Sequence, residues 1–154
     1  MASNAYRIRT HLFSTYNHLY SRWSFEGDTG RCFYCDESPS TRDHVPPLSW
    51  ADMMAHSKVS QRPKFYLVPC CTECNSLLSD KPLNTLFERT RYIEKRLMSR
   101  YERNHVLWTP SELAQMSRTM RVGIKAKLRK NEITLDRVRA VQKRLMTEES
   151  FPED

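Results

Sequence analysis

Four cysteines in two C-x-x-C pairs have the clearest metal chemistry in this sequence. Cys32 and Cys35 form the first pair, and Cys71 and Cys74 form the second. Each C-x-x-C turn directs two sulfurs at one ion, and two turns complete the tetrahedron that Zn2+ prefers. A redox role is the alternative, but neither pair lies in a βαβ pattern. The spacing therefore predicts a closed structural zinc site without an open position for substrate.

The fifth cysteine, Cys70, adjoins Cys71, so either residue could complete the second pair. Cys71 gives the tighter C-x2-C spacing, whereas Cys70 would give C-x3-C. We therefore expect Cys71 to bind the ion. Cys70 is then a small apolar residue at the end of a strand, where free cysteine is commonly buried.

A second group of polar residues lies close to the cysteine pairs. Asp43 and His44 are neighbours on a predicted strand, and Asn75 directly follows Cys74. A neutral imidazole can take a proton from water near pH 7, and Asp and Asn oxygens suit Mg2+. If zinc draws the two cysteine turns together, these residues can form a hydrolytic site. Taken separately, each is more typical of a local hydrogen bond or a helix start.

A small sheet and a helix at each end must position these residues. Strands are predicted at 41–45 and 64–68, and Pro46 and Pro47 end the first strand. The segment 49–56 is predicted to form one or two helical turns. The first 24 residues are predicted to be helical, because apolar residues recur there at helical spacing.

Beyond residue 82 the sequence is typical of helices throughout. The sequences T-L-F-E and T-P-S-E predict capping boxes at Thr85 and Thr109. Pro110 suits the first helical position because its missing N–H costs nothing there. A last helix is predicted over 135–146. The fold class is therefore α+β, mostly α.

Positive charge is concentrated in this helical part. The chain has a formal charge of +7, and residues 81–146 hold 17 Lys or Arg against 6 Asp or Glu. The other residues hold 8 against 12. This surplus indicates an anionic partner, most simply nucleic acid, although a solvated helix surface explains the charge alone equally well.

Taken in order, these motifs carry a family resemblance. The series C-F-Y-C, R-D-H-V-P-P and Y-L-V-P-C-C-T-E-C-N resembles the zinc-containing HNH endonucleases of the ββα-metal (His-Me finger) group, which includes phage endonuclease VII. The resemblance covers about residues 30–82, roughly a third of the chain. It implies a β-hairpin followed by a helix that starts near Cys71.

The resemblance also implies a role for each matched residue. His44 would activate the attacking water, and Asp43 and Asn75 would hold one Mg2+ or Mn2+ ion. The four paired cysteines would hold the structural Zn2+. One position departs from the family pattern, because Leu78 stands about where the third polar residue of the HNH motif is usual.

The sequence thus predicts an N-terminal helical segment (1–29), a zinc-stabilised HNH core (30–82), a basic helical extension (83–147) and an acidic tail (148–154). The first hypothesis is a metal-dependent DNA endonuclease. The second is an inactive HNH-like zinc module that binds DNA or a protein, and the third is a purely structural zinc domain. The substrate is left open between duplex, branched or single-stranded DNA and RNA. A homodimer would suit double-strand cutting, because one site cuts one strand.

No export signal or membrane span is predicted, because no apolar run follows the charged start MASNAYRIRT and none approaches the required length. Paired cysteines in a reducing compartment serve metal binding or catalysis rather than disulfides. We therefore expect a cytoplasmic protein of a prokaryotic or phage-infected cell.

Overall fold

A computed structural model describes residues 4–56 and 64–152 as helices around one small sheet. Short 3-10 turns cover Asn17–Leu19 and Glu148–Ser150. This helix-rich arrangement agrees with the predicted α+β class. The helices are α1 (Asn4–Tyr16), α2 (Leu48–Ala55), α3 (Thr72–Leu78), α4 (Leu86–Asn104), α5 (Pro110–Gln115) and α6 (Arg118–Leu145), and the strands are β1 (Ser21–Arg22), β2 (Thr41–Val45) and β3 (Tyr66–Cys70).

The sheet has the strand order β1-β3-β2. Strand β2 is antiparallel to β3, and β1 is parallel to it. The strand predicted at 41–45 is confirmed, and the second predicted strand lies at Tyr66–Cys70, two residues further along than expected.

Strand β1 differs from the sequence prediction, which extended the first helix through Trp23. Helix α1 ends at Tyr16 instead. The amides of Ser21 and Trp23 donate to the carbonyl oxygens of Phe65 and Leu67 at 3.0 and 3.1 Å. The apolar spacing was helical, but bonds to a strand more than forty residues away determined the backbone.

Helix α3 follows β3 directly, and β3 pairs antiparallel with β2, although α2 lies between these two strands in the chain. Cys71 is the N-cap of α3, and its Sγ accepts a hydrogen bond from the Cys74 amide at 3.4 Å. The second C-x-x-C pair therefore also forms the first turn of the helix, whose start near Cys71 is the one that the resemblance implies.

The capping boxes predicted at Thr85 and Thr109 are both present, with Pro110 in the first turn of α5. Helix α5 is short, however, and Ser117 caps a new helix by accepting from the Met120 amide at 3.2 Å. That helix, α6, begins at Arg118 and contains most of the segment predicted as a separate last helix.

One apolar cluster joins the cysteine turns to the helical extension. Leu78 packs with Ile93 and Leu97 of α4 and with Val138 and Val141 of α6, all essentially buried. The cluster crosses the predicted boundary between the segments 30–82 and 83–147, and the division into these segments stays a prediction. None of the helices in the described ranges is both long and apolar enough to span a membrane.

Candidate metal centre and candidate active site

The four paired cysteines form a buried cluster. The Sγ atoms of Cys32, Cys35, Cys71 and Cys74 all lie within 4.8 Å of one another, and those of Cys35 and Cys71 are 3.7 Å apart. A tetrahedral zinc ion with Zn–S bonds of about 2.3 Å separates its sulfurs by about 3.8 Å. The cluster could therefore hold a structural metal ion such as zinc, as predicted.

Cys70 lies outside this cluster. Its side chain is fully buried, and its Sγ donates to the carbonyl oxygen of Cys71 at 3.4 Å. Hydrogen bonds from the thiols of Cys32 and Cys35 lower the pKa of Cys71. The choice of Cys71 over Cys70 for the metal cluster agrees with the tighter spacing in the sequence.

Arg137 of α6 supplies positive charge beside the cluster. Its Nη2 lies 3.8 Å from Cys71 Sγ and 3.6 Å from Cys74 Sγ. Its Nη1 pairs with Glu73, which also binds Arg100 of α4. Four thiolates around Zn2+ carry a net charge of −2, so this guanidinium offsets part of that charge and ties the helical extension to the metal centre.

Asp43 faces the interior of the protein, where Arg89 of α4 binds both of its oxygens. Nε of Arg89 donates to Oδ2 at 2.8 Å and Nη2 donates to Oδ1 at 2.7 Å, while the hydroxyl of Tyr34 donates to Oδ2. Both partners of this ion pair are almost completely buried. Burial alone would lower the pKa of Arg89, but the combined effect of the Asp43 carboxylate and of Tyr34 is larger, and the net shift of the pKa is upward.

Asn75 lies on the same side of β2 as Asp43. Its Nδ2 donates to Oγ1 of Thr41 at 3.2 Å, and Thr41 and Asp43 share one face of the strand. Because the Asp43 oxygens are bound to a guanidinium, a cation held there would face a buried positive charge. The arrangement does not fit the Mg2+ or Mn2+ ion that the resemblance implies, and that assignment stays a prediction without geometric support.

His44 lies on the opposite face of β2, so the structure does not bring it together with Asp43. Its Nε2 lies 3.0 Å from Oδ1 of Asn17, and the Tyr20 ring packs edge-on at 4.7 Å. Since the amide oxygen can only accept, Nε2 carries the proton and Nδ1 is the basic nitrogen. Burial lowers the pKa of His44, as do Arg89 and Arg9, against an opposing effect of Asp43.

Two arginines share this outer face with His44. Arg22 and His44 both pair with Leu67, so the three form a row across the sheet, with about 10 Å between the outer Cα atoms. Arg42 lies two residues before His44 on the same face. An open pocket of about 470 Å³ on this face is lined by Arg22, Arg42 and Leu67, together with Pro39, Ser40, Thr41, Val68 and Pro69, and His44 is not among its lining residues.

The sequence patterns did not predict that Asn17, Arg22 and Arg42 lie on the same side of the sheet as His44. Arg22 was placed on a helix, because the two-residue strand β1 has no recognisable pattern of its own. Asn17 gave no signal, because its role arises only where the chain leaves α1 and passes beside β2. Arg42 had a signal that could have found it, since it alternates with His44 along a predicted strand.

The resemblance to HNH endonucleases is borne out only in part. Leu78, which stands near the usual third polar position, is fully buried in the apolar cluster. No family model matches this chain, and no curated protein or solved structure matches it. The four-cysteine cluster is the part of the resemblance that the structure shows.

The metal centre can be tested by comparing two neighbouring cysteines. We expect Cys71→Ser to lose the bound zinc, because it removes one of four ligands, whereas Cys70→Ser keeps one zinc per chain. Zinc content by elemental analysis after gel filtration measures both. Zinc loss from Cys70→Ser with retention in Cys71→Ser would reverse the assignment.

Removal of the Asp43 charge tests its structural role. Asp43→Asn leaves the Arg89 guanidinium buried without its partner, so we expect the free energy of unfolding to fall by about 3–5 kcal/mol. Asp136→Asn, at an exposed ion pair, should cost less than about 1 kcal/mol. Urea unfolding of the zinc-loaded proteins measures both. If Asp43→Asn is as stable as wild type, and Mg2+ stabilises only the wild type, Asp43 is a metal ligand instead.

The protonation of His44 can be followed by NMR. Because burial lowers its pKa in the folded protein, we expect its ring signals to titrate below pH 6.5, the usual midpoint for histidine. The unfolded chain then binds more protons, so the stabilising contribution of His44 is complete above about pH 6.5 and is lost as the pH falls through the folded pKa. The same protein in urea is the control, and a midpoint above the urea value would contradict the expectation.

Proposed function

We propose that this chain hydrolyses phosphodiester bonds in DNA, with His44 as the general base. The observation that carries the proposal is the state of the His44 ring. Asn17 accepts from Nε2 at 3.0 Å, and burial keeps the imidazole neutral by lowering its pKa. An imidazole whose orientation and protonation are fixed in this way is suited to accept a proton from water near neutral pH.

The charges on the same face of the sheet as His44 support a phosphodiester as the substrate. Arg22 and Arg42 flank the open pocket on the same face of the sheet. A guanidinium binds phosphate oxygens through two parallel N–H donors and stabilises the negative charge that develops during attack. The two arginine side chains are exposed, so a phosphate can reach them without rearrangement of the core, and at Arg22 it would compete with Asp28, whose Oδ2 lies 3.9 Å from Nη2.

The reaction follows from these groups. Nδ1 of His44 takes one proton from a water molecule while the water oxygen forms a bond to phosphorus. Arg22 and Arg42 offset the charge of the five-coordinate phosphate. The bond from phosphorus to one bridging oxygen then breaks, and that oxygen takes a proton from solvent. A zinc ion held by Cys32, Cys35, Cys71 and Cys74 would leave no position for substrate, so its role would be to hold β3 and α3 to the first cysteine turn.

A second candidate function is a zinc module that binds nucleic acid or a protein without cutting. The contacts of Asp43 favour it, because Arg89 and Tyr34 occupy the oxygens that the resemblance assigns to a catalytic metal. The buried Leu78 favours it for the same reason. On this hypothesis, binding would be independent of His44.

Cleavage assays distinguish the two candidates. We expect the zinc-loaded protein to nick supercoiled plasmid, and His44→Ala to lower the rate by about 10²-fold or more while zinc content is unchanged. Exposed His105 provides the matched control, and His105→Ala should cut as wild type does. Reactions with Mg2+, with Mn2+ and without an added divalent ion show whether a second metal takes part.

Single-stranded DNA and RNA substrates in the same assay define the substrate class. Absence of cleavage by the wild type with any substrate and any divalent ion would exclude the hydrolase. Salt-sensitive binding that persists in His44→Ala would then support the binding module.

A further inference from the structure

The first half of α6, residues 118–130, extends beyond the packed part of the protein, and we call it the arm. The buried residues of α6 all lie in its second half, from Asn131 onward. Gln142 bonds to Glu94 of α4 at 3.2 Å, whereas Arg137 and Arg100 share Glu73 nearer the end of α4. The two helices therefore run antiparallel, and the arm continues past the end of α4 for about 20 Å.

The composition of the arm is strongly basic. The sequence RTMRVGIKAKLRK contains six Lys or Arg and no Asp or Glu. Among the described residues, none of these six takes part in an ion pair. A solvated helix of this length normally gains from pairs of opposite charge at i,i+4, and the arm has none.

Four of the six cations lie on one face of the helix. Arg118, Arg121, Lys125 and Arg129 follow one another at spacings of 3, 4 and 4 residues, which places them within an arc of about 80°. We call them the basic stripe. Like charges at i,i+4 destabilise a helix, so an anion along the stripe would remove a repulsion that the free protein retains.

We propose that the basic stripe binds the phosphates of duplex DNA. It spans about 16 Å along the helix, which exceeds the width of about 12 Å of the DNA major groove. An exposed α-helix fits into the major groove of DNA. The major groove of duplex RNA is too narrow to admit one. The inference rests on the proposed nucleic-acid substrate but concerns binding rather than bond cleavage.

A second copy of the chain is the competing occupant. Met120 and Leu128 are exposed beside the stripe, with Ile124 between them partly exposed, and such residues could pack against a second arm. Two arms packed in this way would bring six positive charges toward six others without an acidic residue in either. The charge therefore favours DNA over a second arm.

Two variants of equal charge test the proposal. The first replaces the four stripe residues with Gln, which keeps helix propensity. The control replaces four exposed cations of α4 with Gln, so both variants lose the same net charge. The control residues are Arg91, Lys95, Arg96 and Arg103.

Binding to a labelled DNA duplex is measured over a series of salt concentrations, in a His44→Ala background so that cleavage does not interfere. We expect the stripe variant to lose about 3 to 4 units from the slope of log K against log salt, since each phosphate contact contributes about 0.9. The α4 control should lose clearly less. Circular dichroism and zinc content establish that both variants are folded.

Three outcomes would overturn the proposal. Equal losses in both variants would show that net charge alone matters, and an unchanged slope in the stripe variant would show that the arm does not touch DNA. A wild-type dimer in sedimentation that Met120→Glu dissociates would assign the arm to a second copy. Binding through the stripe by a wild type that never cleaves would retain this inference and exclude the hydrolase.

Discussion

The convergence of four sulfurs on one point is the constraint on which the rest of the structure depends. Two C-x-x-C turns, separated by 35 residues, place their Sγ atoms within 4.8 Å of one another. That contact fixes where β3 ends and α3 begins, because Cys71 is both a cluster member and the helix cap. The sheet is small, so a metal ion held by these sulfurs would add stability beyond what the apolar core supplies.

A second constraint separates the two faces of β2. The Asp43–Arg89 pair lies inside the protein and attaches α4 to the sheet, whereas His44, one residue later, faces outward beside Asn17. Neighbouring residues on a strand must diverge in this way unless the strand is bulged. The inward carboxylate is therefore paired with a buried guanidinium, whereas the imidazole contacts Asn17 and Tyr20 on the other face. The exposed Arg42 lies on that same face of β2.

Helix α6 combines an exposed first half, the arm, with a second half that packs against the rest of the protein. Arg137 reaches the cysteine cluster from α6, and Val138 and Val141 join the apolar cluster. Before Asn131 the same helix has no buried residue. Contacts with the cysteine cluster and the apolar cluster therefore anchor the carboxyl-terminal half of α6, and the arm projects from that anchored half. The proposed DNA-binding arm and the proposed hydrolytic face are thus carried on connected elements of one small protein.

Features that depend only on local spacing could be predicted from the sequence. These features are the cysteine cluster, the choice of Cys71, strand β2 and the capping boxes at Thr85 and Thr109. Each could be predicted because it needs only residue types a few positions apart. Strand β1 and the start of α6 were not. The first is held by bonds to a distant strand, and the second depends on the Ser117 cap, which the apolar pattern on either side did not reveal.

The partners of Asp43, His44 and the cysteines were decided by the tertiary structure alone. Arg89 lies 46 residues from Asp43, Asn17 lies 27 residues from His44, and Arg137 lies 63 residues from Cys74. No periodic pattern links such positions. The sequence therefore indicated which side chains could bind a metal or transfer a proton, but not which residues each of them would contact. A carboxylate can bind either a metal ion or a buried guanidinium, and only its position in the fold determines which of them it meets.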